Sequence, residues 1–252
     1  MGYQLKFLAP PGSEPGFGSS NLDAVRWQTL LTRACQVRGA AYVADGAICS
    51  DELTPDGSFR IPIDKQSWHV VLVDDDEVVS ATLRITMMPL DSRKRKGSLP
   101  HVGESLRRAA SDPYQSILVA ERFLSGLGLA YGSERTNFMI VGGWATDPQK
   151  APPAAGAELA LSVWAFARYM AAAGAICVAS ERHDAHGQLI RTGAVPIRAI
   201  GSQSMYFDAA YGCRVGLLGF RVFQERRALK RFVDLLANTI MDSEVIYAKG
   251  IS

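Results

Sequence analysis

The stretch TNFMIVGGWATDP, residues 136–148, is an apolar run with two adjacent glycines in its interior and Asp-Pro at its end. An apolar run of this length fits a buried strand, and the Asp-Pro pair marks the turn that ends it. Glycines inside a strand are typical of a bulge, where the backbone leaves the regular ladder. Residues 136–148 therefore predict a buried strand with a bulge at Gly142 and Gly143.

A helix and a second strand are predicted next. Two prolines at 152–153 suit a first helical turn, and Leu159, Val163 and Phe166 then recur at helical spacing. The nearly all-apolar run 175–180 predicts a short buried strand. Because strand, helix and strand follow in this order, the two strands are predicted to be parallel neighbours in a sheet.

A helix and a hairpin are predicted in front of this unit. Asn21 or Asp23 could cap a helix that ends near Gly39. Two apolar, β-branched runs, 68–73 and 78–85, are separated by consecutive aspartates. This pattern predicts two antiparallel strands joined by a tight turn.

The domain organisation predicted from the sequence is one large domain with decorations. Residues 9–20, rich in Pro, Gly and Ser, follow a possible short strand at 3–8, and residues 1–22 as a whole are interpreted as a flexible lead-in to a single domain at 23–252. Two helical patterns, 102–110 and 113–126, form an insertion at about 100–130 between the hairpin and the central strand, and about 224–247 predicts a C-terminal helix. The predicted fold class is α/β (α+β), a central mixed twisted sheet flanked by helices.

Composition excludes several classes of protein. The 252 residues carry a net charge of +2 and no apolar run near the ~20 residues of a membrane span. The four cysteines lack CxxC spacing, which argues against a metal site or a disulfide framework and favours a reduced, cytoplasmic protein. No recognisable nucleic-acid-binding motif is present.

A family resemblance lies in five short motifs. Asp64, the Ser-Trp-His at 67–69, the strand 79–84, the Tyr-Phe-Asp at 206–208 and the Tyr-Gly-Cys at 211–213 resemble the autoinducer-synthase-like branch of the GNAT acyltransferase superfamily. This branch includes acyl-homoserine lactone synthases and long-chain N-acyl amino acid synthases. The resemblance implies a GNAT-like fold and transfer of an acyl group from a pantetheine thioester to an amine, with no permanently bound cofactor.

The start of the predicted central helix departs from the superfamily pattern. Acetyl-CoA users resembling this chain carry glycines there, whose N–H groups hold the diphosphate of CoA. Residues 149–154 instead contain two prolines, which lack N–H groups, although Lys150 and Gly156 could restore part of the site. An acyl carrier protein offers the same pantetheine arm without the nucleotide. Its acidic surface would match the basic runs at 93–96 or 226–231, so it is the preferred donor, with acyl-CoA as the alternative.

The bulged strand is the candidate site for the thioester. If Gly142 and Gly143 separate the strand from its neighbour, N–H groups up to Ala145 can face the thioester carbonyl and the pantetheine amides. Trp144 could line the acyl tunnel. The alternative is that the glycines only allow close packing. The predicted donor-binding residues are thus Gly142, Gly143, Trp144, Ala145, Lys150 and Gly156.

Amide formation also needs a proton acceptor. Glu181 and His183 follow the second central strand, at the carboxyl end where open α/β sheets present their sites, and are the predicted catalytic residues. A charged surface loop is the alternative interpretation. Resemblance to acetyltransferases would place an acidic tyrosine at position 190, but Ile190 stands there, and Tyr206 or Tyr211 could replace it only if the fold brings them near.

The resemblance to autoinducer synthases implies that Asp64 and Arg84 lie near the acceptor pocket. The alternatives are a turn for Asp64 and a surface ion pair for Arg84. The sequence therefore predicts an N-acyltransferase that moves a fatty acyl group from acyl carrier protein to an amino acid or related metabolite. A CoA-dependent enzyme for another amine and a non-catalytic carrier-binding module are the alternatives, and a homodimer is left open.

Overall fold

The computed structural model describes residues 2–13, 16–91, 113–131, 134–197, 205–209 and 211–248. The described chain divides into two compact units. The first contains residues 1–86, 142–169 and 232–252, and the second contains 87–141 and 170–231. The predicted helix at 102–110 and the basic run 93–96 lie outside the described residues.

The first unit is built on strands from both ends of the chain. Its elements are β1 (Tyr3–Ala9), β2 (Ser19–Leu22), α1 (Ala24–Ala44), β3 (Trp68–Asp74), most of β4 (Val79–Pro89), the second half of β5 (Asn137–Thr146), α3 (Ala155–Tyr169), most of α5 (Lys230–Asp242) and β10 (Glu244–Tyr247). The strand order is β2-β10-β1-β3-β4-β5. Parallel pairing joins β10 to β1 and β2, and antiparallel pairing joins β1 to β3 and β3 to β4.

The second unit contains the first half of β5 and the strands that follow it. Its other elements are α2 (Pro113–Tyr131), β6 (Ala172–Ser180), α4 (Ala185–Thr192), β7 (Val195–Pro196), β8 (Tyr206–Asp208) and β9 (Cys213–Arg221). Parallel pairing joins β5 to β6, while β9 runs antiparallel to β6, β7 and β8. The predicted strand–helix–strand unit, the hairpin and the fold class, a mixed sheet flanked by helices, are confirmed.

Three predicted boundaries are corrected. The possible strand at 3–8 is present as β1, which buries Phe7 and Leu8 completely and pairs on both sides, so the flexible lead-in does not extend over all of residues 1–22. Helix α1 is capped by Asp23, as predicted, but passes through Gly39, where close packing leaves no room for a side chain: a Cβ there would lie 2.9 Å from the Gly57 carbonyl oxygen. The last predicted helical turns, 244–247, form strand β10, since their apolar side chains are buried beside β1.

Aromatic side chains form the core of the first unit. Phe7, Phe17, Trp68 and Phe166 have ring centroids 5.3 to 5.9 Å apart. Three of them are no more than 2% exposed. Burial of each contributes about 2 to 3 kcal/mol, which fixes α3 against β1 and β3.

A separate apolar core lies in the second unit. Leu124 and Leu127 of α2 pack with Phe138 of β5 and Ile176 of β6, and all four are fully buried. Among the described helices, none has the length and apolar content needed to cross a membrane.

Candidate active site

The predicted bulge of β5 is present at the two glycines. Gly143 has φ +62°, a left-handed conformation that glycine adopts without steric cost. The paired register between β5 and β6 ends at Val141 and Cys177, immediately before the glycines. The strand therefore leaves the parallel ladder where the sequence predicts it.

Two arginines explain why both bulge positions are glycine. A Cβ on Gly142 would lie 3.2 Å from Nη2 of Arg84, and a Cβ on Gly143 would lie 3.1 Å from Nη1 of Arg38. Neither distance leaves room for a side chain without moving a guanidinium. The glycines thus permit close packing, as the alternative interpretation holds, and the groups packed against them are cationic.

Asp64 holds both arginines in a buried ionic cluster. Its carboxylate accepts hydrogen bonds from Nη1 (3.0 Å) and Nη2 (2.6 Å) of Arg38, from Nη1 of Arg84 (3.2 Å) and from the N–H of Ile61 (2.8 Å). The exposed fractions are 2% for Arg38, 3% for Asp64 and 7% for Arg84. Asp64 and Arg84, predicted as a pair near the acceptor, are therefore brought together.

Three elements position the ionic cluster. Arg38 projects from α1, Asp64 lies in a short 3-10 helix, Pro62–Gln66, and Arg84 lies on β4. His69 on β3 is the register partner of Arg84, and its Nε2 lies 2.9 Å from the Asp64 carbonyl oxygen. Since that oxygen can only accept, Nε2 carries the proton in this contact.

Burial and the nearby arginine charges set the pKa values of the titratable groups in the cluster. Burial acts to raise the pKa of Asp64, but the hydrogen bond and charge of Arg38 outweigh it and lower the pKa to about 2. Burial lowers the pKa of His69 to about 4, although Asp64 acts in the opposite direction. Burial also raises the pKa of the Cys35 thiol to about 11. At neutral pH the carboxylate is therefore charged, and the imidazole and thiol are neutral.

The backbone N–H groups of the segment before α3, residues 148–153, all donate to Asp147, the residue that precedes the segment. The N–H groups of Gln149, Lys150 and Ala151 all donate to Asp147, at 3.0, 3.2 and 2.8 Å. Lys150 also pairs its ammonium with the Asp147 carboxylate at 3.2 Å. The other residues of 148–153 are prolines, which have no N–H. The segment thus offers no backbone N–H to a ligand.

Two of the predicted donor-binding residues contact each other. A Cβ on Gly156, in the first turn of α3, would lie 3.3 Å from Cζ2 of Trp144. The Trp144 indole therefore covers the first turn of α3. Ala145, between the bulge and this segment, is buried.

Glu181 and His183, the predicted catalytic residues, lie after β6 in the second unit, and both are exposed. The Glu181 carboxylate accepts a hydrogen bond from the Arg214 N–H at 3.0 Å, which ties the end of β6 to β9. His183 has φ +50°, an uncommon conformation for a residue other than glycine. Their catalytic role stays a prediction. Tyr206 and Tyr211, the candidate acids, are half-buried in the same unit.

Sequence reasoning missed Arg38 and His69. A signal for Arg38 was present, because it continues the helical stripe of Trp27, Leu31 and Ala34 as a charge on an apolar face. The predicted hairpin also places His69 opposite Arg84 once its register is known. The contact of either residue with Asp64 could not be read from these patterns.

Structural comparison identifies the fold. No family model and no curated protein sequence matches this chain. BjaI, a CoA-dependent acyl-homoserine lactone synthase solved with SAM and isopentyl-CoA, has a TM-score of 0.54 at 14% identity over 98% of this chain and 93% of BjaI. TofI, solved in a ternary complex with an inhibitor and MTA, has a TM-score of 0.53 at 12% identity over 94% and 99% of the two chains. FeeM, an N-acyl amino acid synthase from uncultured soil microbes, has a TM-score of 0.48 at 16% identity over 87% of this chain and 100% of FeeM.

The chain therefore has the fold of the acyl-homoserine lactone synthases. The predicted GNAT-like fold of the autoinducer-synthase type is confirmed at this level. At a sequence identity of 12 to 14%, the comparison establishes the fold alone. The acyl donor and the acceptor have to be argued from the residues of the site.

Proposed function

We propose that the protein is an N-acyltransferase that moves an acyl group from a pantetheine thioester to the amine of an amino acid or related small metabolite. The observation that carries the proposal is the bulge of β5, where the strand leaves its parallel ladder at Gly142 and Gly143 against two buried guanidiniums. Where a strand leaves its ladder, its backbone N–H groups can donate hydrogen bonds to the carbonyl oxygen of a thioester.

The reaction forms a C–N and an S–H bond and breaks a C–S and an N–H bond. The amine nitrogen attacks the thioester carbonyl carbon, and the carbonyl electrons move to the oxygen of a tetrahedral intermediate. N–H groups between Gly142 and Ala145 stabilise that oxyanion. Collapse breaks the C–S bond, a general base takes the proton that the nitrogen loses, and the base passes this proton to the thiolate, which leaves as the free thiol. Glu181 and His183 stay the predicted bases.

The acyl donor is proposed to be an acyl carrier protein carrying a fatty acyl chain. CoA differs from the carrier by a nucleotide diphosphate, which acyltransferases of this superfamily bind with N–H groups at the start of the central helix. Residues 148–153 direct their three N–H groups to Asp147, and the Asp147 carboxylate already pairs with Lys150. A second anion beside that carboxylate would be repelled, which disfavours CoA.

The CoA-dependent alternative has its own support. BjaI, which has the same fold, is CoA-dependent. In that case Lys150 would exchange Asp147 for the diphosphate, because its side chain is 57% exposed and can turn away from the ion pair.

Thiol release by the purified full chain tests the proposal. Long-chain acyl carrier protein, the matching acyl-CoA and acetyl-CoA would each be supplied with the proteinogenic amino acids and with simple amines, and mass spectrometry would identify the amide. Turnover that needs the carrier supports the proposal in full. Turnover with either CoA ester assigns the donor to the alternative. Carrier binding without turnover from any donor would identify a binding module and refute the enzymatic proposal.

A further inference from the structure

We propose that Trp144 selects the acyl donor, because its indole fills the space at the first turn of α3 that the diphosphate of CoA would need. The inference rests on the proposed function and adds the residue that restricts its donor to a carrier-bound pantetheine. Three observations support it: the contact between the indole and Gly156, the two N–H groups of this turn that have no acceptor, and the carboxylate that the turn carries.

The indole of Trp144 lies directly against the helix. Around the position of a Cβ on Gly156, the three nearest atoms are Cζ2, Nε1 and Cε2 of Trp144, at 3.3, 3.7 and 3.8 Å. The shortest of these distances leaves no room for a methyl group unless the ring shifts, and a phosphate group is larger than a methyl group. A diphosphate therefore reaches this side of the turn only if the indole moves away.

The first turn of α3 has two N–H groups that would otherwise attract an anion. The N–H groups of Ala155 and Glu158 each donate to a carbonyl oxygen of the residues before the helix, at 2.9 Å. Those of Gly156 and Ala157 have no acceptor in the described part of the chain. Free N–H groups at the start of a helix, at the positive end of its dipole, bind phosphate groups. The indole thus lies against the residue that carries the first of these N–H groups, where it keeps the phosphate out.

The charges of this region also disfavour a diphosphate. Glu158 places a half-buried carboxylate in the first turn of α3, and no cation of the described residues is paired with it. In the segment before the helix, the ammonium of Lys150 already pairs with Asp147 at 3.2 Å. A diphosphate would therefore come to a turn flanked by two carboxylates, which repel it. A carrier presents the same pantetheine arm without the nucleotide half of CoA, so the exclusion acts on one donor and not on the other.

Binding of two donor fragments tests the inference without turnover. The full chain would be titrated by calorimetry with CoA and with phosphopantetheine, the arm that CoA and the carrier share. We expect the wild type to bind CoA no more tightly than phosphopantetheine, because the nucleotide half finds no site. Wild-type binding of CoA that is tenfold tighter than binding of phosphopantetheine would overturn the inference.

Variants locate the exclusion at the indole. Trp144→Ala empties the space beside Gly156, and we expect it to bind CoA at least tenfold more tightly than the wild type, with little change for phosphopantetheine. Trp144→Leu takes its place if urea unfolding shows that the alanine variant does not fold. Phe223→Ala is the matched control, because it removes an exposed aromatic side chain from the second unit, and it should bind CoA as the wild type does. A folded variant without the indole that gains no affinity for CoA would refute the assignment.

The inference and the proposed function fail in different ways. Turnover from the carrier, in a protein whose Trp144→Ala variant gains no affinity for CoA, would leave the N-acyltransferase standing and remove the role of Trp144. A gain of CoA binding in Trp144→Ala, with no turnover by the wild type from any donor, would do the reverse.

Discussion

His69 makes the stability of the first unit depend on pH in a measurable way. The residue is 1% exposed, and burial near two guanidiniums lowers the pKa of its imidazole from an ordinary 6.5 to about 4. The unfolded chain therefore takes up a proton on His69 below pH 6.5, whereas the folded chain does so only near pH 4. Between these values the unfolded state holds more protons, so the free energy of unfolding falls as the pH falls.

The size of the effect follows from the two pKa values. One pKa unit corresponds to about 1.4 kcal/mol, so the whole difference is worth about 3 kcal/mol. About 2 kcal/mol of this is lost between pH 7 and pH 5, above the range in which most carboxylates titrate. Asp64 contributes separately: its lowered pKa supplies stability above pH 4 that is lost only as the pH falls towards 2.

Urea unfolding at pH 7, 6 and 5 measures the slope of the free energy of unfolding against pH. His69→Gln keeps a donor for the Asp64 carbonyl oxygen but cannot be protonated, and we expect its free energy of unfolding to vary about 2 kcal/mol less over this range than that of the wild type. His183→Gln, at an exposed histidine, is the control and should keep the wild-type slope. Equal slopes for His69→Gln and the wild type would refute a neutral, buried His69 and with it the charge count of the ionic cluster.

Two further predictions concern the bulge and the proton acceptor. Gly143→Ala forces a left-handed conformation on alanine, which costs about 1 kcal/mol, and brings its Cβ within 3.1 Å of Arg38. We expect Gly143→Ala to destabilise the protein more than Gly12→Ala, which has a similar φ of +78° and open space around its Cβ, and equal losses in urea unfolding would contradict the contact with Arg38. Glu181→Gln or His183→Ala should slow thiol release by about 100-fold with little change in unfolding, because a general base contributes roughly that factor. Unchanged turnover in both variants would remove them as proton acceptors.

Much of the fold could be predicted from local patterns in the sequence. The apolar run with two glycines became β5 with its bulge, and the hairpin formed at 68–85, because adjacent strands joined by a tight turn are encoded within one short segment. Helix α3 and β6 followed from helical spacing and an apolar run. Of the two predicted caps, Asn21 and Asp23, the structure selects Asp23, whose side chain accepts a hydrogen bond from an N–H three residues later.

Elements that depend on distant partners were not predicted. The run 244–247 has no local feature that separates a helix end from a strand, and it becomes β10 only because β1 and β2 supply its hydrogen bonds. Gly39 looks like a helix end in the sequence, but the helix continues because the loop at Gly57 packs against it. In each case a contact across a long stretch of chain outweighs the local propensity.

By itself the sequence determined which strands and helices form the centre and where the central strand bulges, and its resemblance to autoinducer synthases led to the prediction that Asp64 and Arg84 lie near the acceptor. Only the tertiary structure decided that Arg38, 26 residues before Asp64, joins Arg84, 20 residues after it, on one buried carboxylate beneath the glycines. The physical reason is that a charge is buried only with its partners. Partners brought together from a helix, a turn and a strand leave no periodic signal in the sequence.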